Sequence, residues 1–117
     1  MRQEDKELLL MDICARLPYG VKVNTIQGDF TLLGLTNERV FTTCEVEGCH
    51  NDFPIECVKP YLFPLSSITK KRLEELSEYI DIKNAYVAVE IFNSHHIDYR
   101  GLIEKGLAID ATGLNIY

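Results

Sequence analysis

Apolar positions open the chain with a helical spacing. Leu9, Leu10, Ile13, Cys14 and Leu17 recur at i, i+1, i+4, i+5 and i+8, with Asp5, Asp12 and Arg16 on the opposite side. An amphipathic helix over 3–16 follows, its charged side expected in water. Pro18 ends it, because the residue before a proline is pushed out of the helical region, and Tyr19-Gly20 form the exit.

From Gly20 to Leu65 the period shortens to runs of strand type, GVKVNTI, FTLLGLT, RVFTTCEV and FPIECVKPYLF. Gly28-Asp29 suits a two-residue hairpin, since glycine reaches positive φ without strain. Val40, Thr42, Cys44 and Val46 alternate with Arg39, Phe41, Thr43 and Glu45, and Phe53, Ile55 and Cys57 supply the inward face of the next strand. With a turn at 47–52, Val46 opposes Phe53 and Cys44 opposes Ile55. Successive hairpins of this length predict a curled antiparallel sheet of four to five strands, of SH3-like type.

Pro60 and Pro64 bracket Tyr61-Leu62-Phe63, which reads as a strap crossing from the sheet to the next helix, because proline is excluded from central strands. Thr69 caps a helix whose stripe is Leu73, Leu76 and Ile80, with Ile68 and Leu73 as a hydrophobic staple. Residues 85–96 satisfy both a helical and a strand period and are taken as helix. A last short helix starts at Asp98. There the carboxylate accepts first-turn N–H groups, and Ile97 and Leu102 form a second staple. Gly106 at C′ and Leu107 at C″, touching Leu102 at C3, close the helix with a Schellman ending. Gly101 falls inside this helix, where it costs about 1 kcal/mol against alanine and has no role in the scheme.

The expected architecture is therefore α+β: an N-terminal helix, the SH3-like sheet, then two or three C-terminal helices, forming one domain across 1–117. A chain of 117 residues buries enough surface for one core. Composition adds a net charge of −6, which repels phosphate backbones and anionic membranes. The charged start lacks the uninterrupted apolar run of a secretory signal, and no segment reaches the ~18 apolar residues of a membrane span. A cytoplasmic location follows, where the four cysteines stay reduced.

Candidate chemistry concentrates in two places. In HHIDYRGLIEKGLAIDA (95–111), Asp98, Leu102, Gly106 and Leu107 are absorbed by helix capping, which leaves His95, His96, Tyr99 and Arg100. Adjacent histidines on a helix point about 100° apart and cannot ligate one metal as an i, i+4 pair does. Cys44, Cys49, His50 and Cys57 have the ligand types for zinc, but the spacing C-x4-C-H-x6-C lacks paired knuckles. Cys57 also falls about 13 Å down its strand at ~3.3 Å per residue. No metal or cofactor is expected, and Cys14, Cys44 and Cys57 read as small buried hydrophobes.

CARLPYGVKV (14–23), VKPYLFPLSSIT (58–69) and HHIDYRGLIEKGLAIDA (95–111) together resemble a family of short uncharacterised proteins of gut anaerobic bacteria, their prophages and mobile elements. The resemblance implies a setting, a cytosolic accessory protein of a bacterium or phage, and no activity. The aromatic-rich helix usual before the double histidine is represented here only by VEIFNSHH.

Three function classes compete. The favoured one is a non-enzymatic interaction module with an unidentified protein partner, using His95, Tyr99, Arg100 and Tyr61 as its surface. The alternative is a nucleic-acid-binding accessory protein using Lys59, Lys70, Lys71 and Arg72, the last three in a first helical turn where cations oppose the dipole. Net acidity makes nucleic acid the weaker expectation. An enzyme would need distant pairs such as His50 with Cys49 or His95 with Asp98, since no nucleophile elbow, phosphate loop or metal-helix motif is present, and no catalytic residue is assigned.

Overall fold

The computed structural model describes residues 1–43, 51–67 and 85–117. Helix α1 spans Gln3–Arg16, with Glu4 and Asp5 in its first turn and Arg16 in its last, each on the favourable end of the helix dipole. Pro18 sits in a 3₁₀ turn, Leu17–Tyr19, which Gly20 closes at φ 68°. The inward face of α1 differs from the apolar stripe in the sequence. Leu9, Asp12, Ile13 and Arg16 are buried, Leu10 and Leu17 pack only partly against the core, and Cys14 is exposed. An i, i+3, i+4, i+7 stripe faces inward whether or not all its members are apolar, provided the charged ones find partners.

Strands β1 (Lys22–Thr25), β2 (Gly28–Leu35), β3 (Arg39–Thr42) and β4 (Asp52–Pro54) form an antiparallel meander. A 3₁₀ turn, Ile55–Cys57, leads into β5 (Lys59–Pro64), which returns to pair antiparallel with β1. Two short strands, β6 (Ile97–Asp98) and β7 (Ile109–Asp110), run parallel to β5. The sheet order is β4-β3-β2-β1-β5-β6, with β7 also on β5. Helix α2, Ala85–Ser94, precedes β6 and agrees with the helical reading of 85–96. The chain is thus mixed α+β. The helix expected from Thr69 to Ile80, together with Cys44, Cys49 and His50, lies outside the described residues.

The first hairpin turns at Ile26-Gln27 and not at Gly28-Asp29, with Thr25 opposite Gly28. The Thr25 hydroxyl accepts from the Gln27 N–H (3.1 Å) and donates to the Gly28 carbonyl (2.8 Å), so threonine supplies the turn chemistry. Gly28 still needs its freedom, at φ 126°. In the third hairpin Val40 opposes Phe53, six positions from the Val46–Phe53 pairing expected from the alternation. An even slip leaves every side chain on its face, and Val40, Thr42 and Phe53 are all buried. Ile55 is buried as expected, but the 3₁₀ turn ends the alternation there. Val58 goes inward and Cys57 outward.

Tyr61-Leu62-Phe63 belongs to a central strand, contrary to the strap reading. The prolines are tolerated because they stand near the two ends of β5. Pro60 meets β1 where that pairing stops, Pro64 pairs with Asp98 at the other end, and the Phe63 N–H between them donates to the His96 carbonyl at 2.8 Å. The core gathers Leu9 and Ile13 of α1, Val23, Phe30, Leu32, Val40, Phe53 and Leu62 of the sheet, Val21, Ile55 and Val58 of the segments that adjoin its strands, and Leu102, Leu107 and Ala108.

After β6 the backbone is irregular over 99–101 and forms turns over 102–106, in place of the expected α-helix. Gly101 is the reason: its φ of +75° lies outside right-handed helix space, so no helix can run from Asp98 through it. The predicted Schellman ending is nonetheless present, with Leu107 N–H donating to Leu102 O (2.9 Å) and Gly106 N–H to Ile103 O (3.1 Å). Gly106 takes φ +74°.

Candidate functional site

The densest polar constellation lies where α1 meets the segment that follows α2. Four residues apart on α1, Asp12 and Arg16 face each other in a two-point ion pair, Nε to Oδ2 at 2.9 Å and Nη2 to Oδ1 at 3.0 Å, both side chains fully buried. Planar guanidinium and carboxylate groups match in this geometry. Arg16 Nη2 also donates to the backbone carbonyl of Ile97. Arg100 reaches the same carboxylate from outside, Nη1 to Oδ1 at 2.8 Å. One carboxylate thus serves two cations that are distant from each other in sequence. Tyr99 carries both guanidiniums near its ring, Arg100 at 4.6 Å and Arg16 at 5.4 Å from the centroid. Its hydroxyl donates to Asn93 Oδ1 at 3.0 Å, and Phe92 packs on it at 5.8 Å.

Asp98 is the second buried acid here. Its Oδ1 accepts from Leu102 N–H and its Oδ2 from Ile103 N–H, both at 2.9 Å. The sequence placed these bonds in the turn starting at Asp98; Gly101 displaces them to the turn that follows. The carboxylate still serves free backbone amides, which is the work of a cap.

His96 ends α2 in a left-handed conformation, φ 60°, and is buried, with Nδ1 lacking a hydrogen-bond partner; so is Nη1 of Arg16. Tyr117 stacks on the imidazole at 3.8 Å between centroids, 13° from parallel. Burial first, then the Arg16 guanidinium and His95, lower the His96 pKa to about 4, so the ring is neutral at pH 7. The Tyr117 hydroxyl accepts from Lys22 N–H (2.9 Å) and donates to the Tyr61 carbonyl (2.7 Å). Lys22 and Tyr61 would form the next β1–β5 pair after Val23–Pro60, so the phenol replaces a direct strand bond. Burial pushes this hydroxyl up to about 12.

The residues nominated from sequence are not brought together as one open surface. His95 is exposed, whereas Tyr99 and Arg100 are half-buried in the ion network. Tyr61 is buried, 6% exposed, with its hydroxyl donating to Asp29 at 2.6 Å; burial first, then Asp29, raises its pKa. His95 with Asp98 gains no support as an acid-base pair, since both Asp98 oxygens hold amides. Lys59 is exposed, while Lys70, Lys71 and Arg72 lie outside the described residues. Among the described residues no three His, Cys, Asp or Glu side chains group as a metal site, and no helix is long and apolar enough to cross a membrane.

Sequence reasoning missed Asp12, Arg16 and Tyr117. The i, i+4 Asp-to-Arg spacing was the available signal for the first two, but that spacing ordinarily marks a solvated pair. A cleft of about 300 Å³ opens between Pro64–Ser66 and the turn at 101–104. Among the described residues, Ser66 is its only hydroxyl nucleophile apart from the Tyr99 phenol, and neither histidine of the 95–96 pair lines it.

On the outside, Leu33 sits at a bulge between β2 and β3 and is 61% exposed. Phe41 on β3 points the same way, 38% exposed, and its cross-strand partner is Gly34, which offers no side chain to cover the ring. Comparison with known proteins returns no matching family model, no matching curated protein and no matching solved structure.

Proposed function

We propose that this chain is a small non-enzymatic interaction module built on an SH3-like sheet, acting as a cytoplasmic accessory protein of a bacterium or its phage. The meander β1–β4, the 3₁₀ turn before β5 and the return of β5 to β1 support the SH3-like reading. The resemblance of the three sequence motifs supports the setting.

The observation that carries the functional reading is the outer face of β2 and β3. Leu33 and Phe41 are uncovered there, and a bulge that turns a leucine outward has no use for the core. Meanwhile Asp12, Arg16, Asp98, Tyr99 and Arg100 are engaged with one another or with backbone. The partner is a protein presenting an apolar surface. A nucleic-acid partner draws less support, from exposed Lys59 against a net charge of −6.

The test is co-purification from the native host with the chain as bait. A partner retained by the unsubstituted chain should be lost on Leu33→Ser with Phe41→Ser, while the circular dichroism spectrum and urea midpoint stay the same. Retention of the same partner by the doubly substituted chain would count against this face.

A further inference from the structure

In residues 112–117 the polar and ring contacts with the rest of the fold gather on one side chain, Tyr117, while Ile116 is half-buried beside it. Thr112 to Asn115 are exposed, and their hydrogen bonds are local, Thr112 N–H to Asp110 and Leu114 N–H to the Ala111 carbonyl. Every long-range hydrogen bond and ring contact of the segment, among the described residues, is made by Tyr117. It bonds Lys22 and Tyr61, stacks on His96 and lies 5.9 Å from the Phe63 ring.

The slot it fills is chemically selective. A strand donor and a strand acceptor, Lys22 N–H and Tyr61 C=O, converge beside an aromatic floor. The group between them must accept and donate at once from the end of a flat ring, and among side chains tyrosine does this. Reaching the slot from β7 within one chain requires a reversal through two left-handed residues, Gly113 at φ 76° and Asn115 at φ 52°. Glycine adopts that conformation freely, and asparagine is among the side-chain-bearing residues that tolerate it best.

We propose that the slot also accepts Tyr117 from a second copy of this chain, so that two copies exchange residues 112–117 reciprocally and form a dimer. A second copy fits better than an unrelated tyrosine peptide because exchange reproduces each contact of Tyr117 and lets the connection leave β7 extended, without the reversal. Exchange of an identical element through an exposed connection is a low-cost route to a dimer. The surface uses none of the residues on the β2–β3 outer face.

Deleting Gly113–Asn115 tests this, since the shortened connection cannot reverse but can still run outward. By light scattering after gel filtration the deletion variant should be a dimer, and adding Tyr117→Ala should return it to a monomer with an unchanged circular dichroism spectrum. A folded, monomeric deletion variant, or a dimer that survives Tyr117→Ala, overturns the proposal. The unmodified chain decides independently of whether the variant folds. Incubated near its urea midpoint at millimolar concentration and returned to buffer, it should contain dimer at least several-fold above the Tyr117→Phe chain; equal amounts, or none in either, overturn it.

Discussion

Two interiors meet in this chain, and they obey different rules. Within the meander the buried side chains are Val23, Phe30, Leu32, Val40 and Phe53, with the hydroxyls of Thr25 and Thr42 among them. Between α1 and residues 96–100 the interior is ionic, with Asp12, Arg16, Arg100 and the Tyr99 ring packed together. Apolar burial is non-directional and tolerates a changed partner, which is why a six-residue slip of β3 against β4 leaves the face pattern intact. An ion network tolerates nothing of the kind, because each charge taken from water must meet a counter-charge at a fixed position.

The sharpest way to break that contrast is to remove the shared carboxylate. Asp12→Ala leaves a fully buried guanidinium and a half-buried one without their anion, and should cost about 3–5 kcal/mol in urea unfolding. Ile55→Val, at a fully buried site under the meander, should cost only about 0.5–1.5 kcal/mol. Equal costs would erase the distinction.

Acid provides the next largest effect. His96 titrates near 4 in the folded chain against 6.5 for a free imidazole, so the unfolded chain takes up its proton first as pH falls. The stability from the neutral ring is complete above pH 6.5 and declines down to about pH 4, by at most about 3 kcal/mol. His96→Asn, which tolerates the left-handed backbone, should flatten the stability profile in this window relative to the unsubstituted chain. An unchanged slope would place the titration elsewhere.

Tyr117→Phe keeps the ring stack and removes the two bonds bridging Lys22 and Tyr61, a loss of about 1–2 kcal/mol. Faster amide exchange at Lys22 should accompany it. The smallest effect belongs to the outer face, where Phe41→Ser should move stability by less than about 0.5 kcal/mol by urea midpoint.

The two interiors also differ in how far the sequence revealed them. The boundaries of α1 and the inward positions Val40, Thr42, Phe53 and Ile55 follow from periodicity, because burial of apolar groups is a local pattern. The Schellman ending at Gly106 and the engagement of Asp98 with backbone amides follow from terminal chemistry that acts over a few residues. Asp12 and Arg16 read as a solvent face because their third member, Arg100, lies 88 residues from Asp12. Tyr117 carried no local signal, since its partners are backbone groups of two strands formed far earlier in the chain. The prolines of β5 misled in the opposite direction, since proline removes only its own N–H from the ladder and the intervening residues remained free to pair. Gly101, without a role in the expected helix, is the residue that prevents it.

The central claim is that the polar cluster around Asp12 is a structural ion network. A double-mutant cycle on Asp12→Ala and Arg16→Ala, followed by urea unfolding at pH 7, measures it most directly. The account predicts strongly non-additive losses, with the double substitution at least about 1.5 kcal/mol less damaging than the sum of the singles. Losses that add within about 0.5 kcal/mol would contradict it.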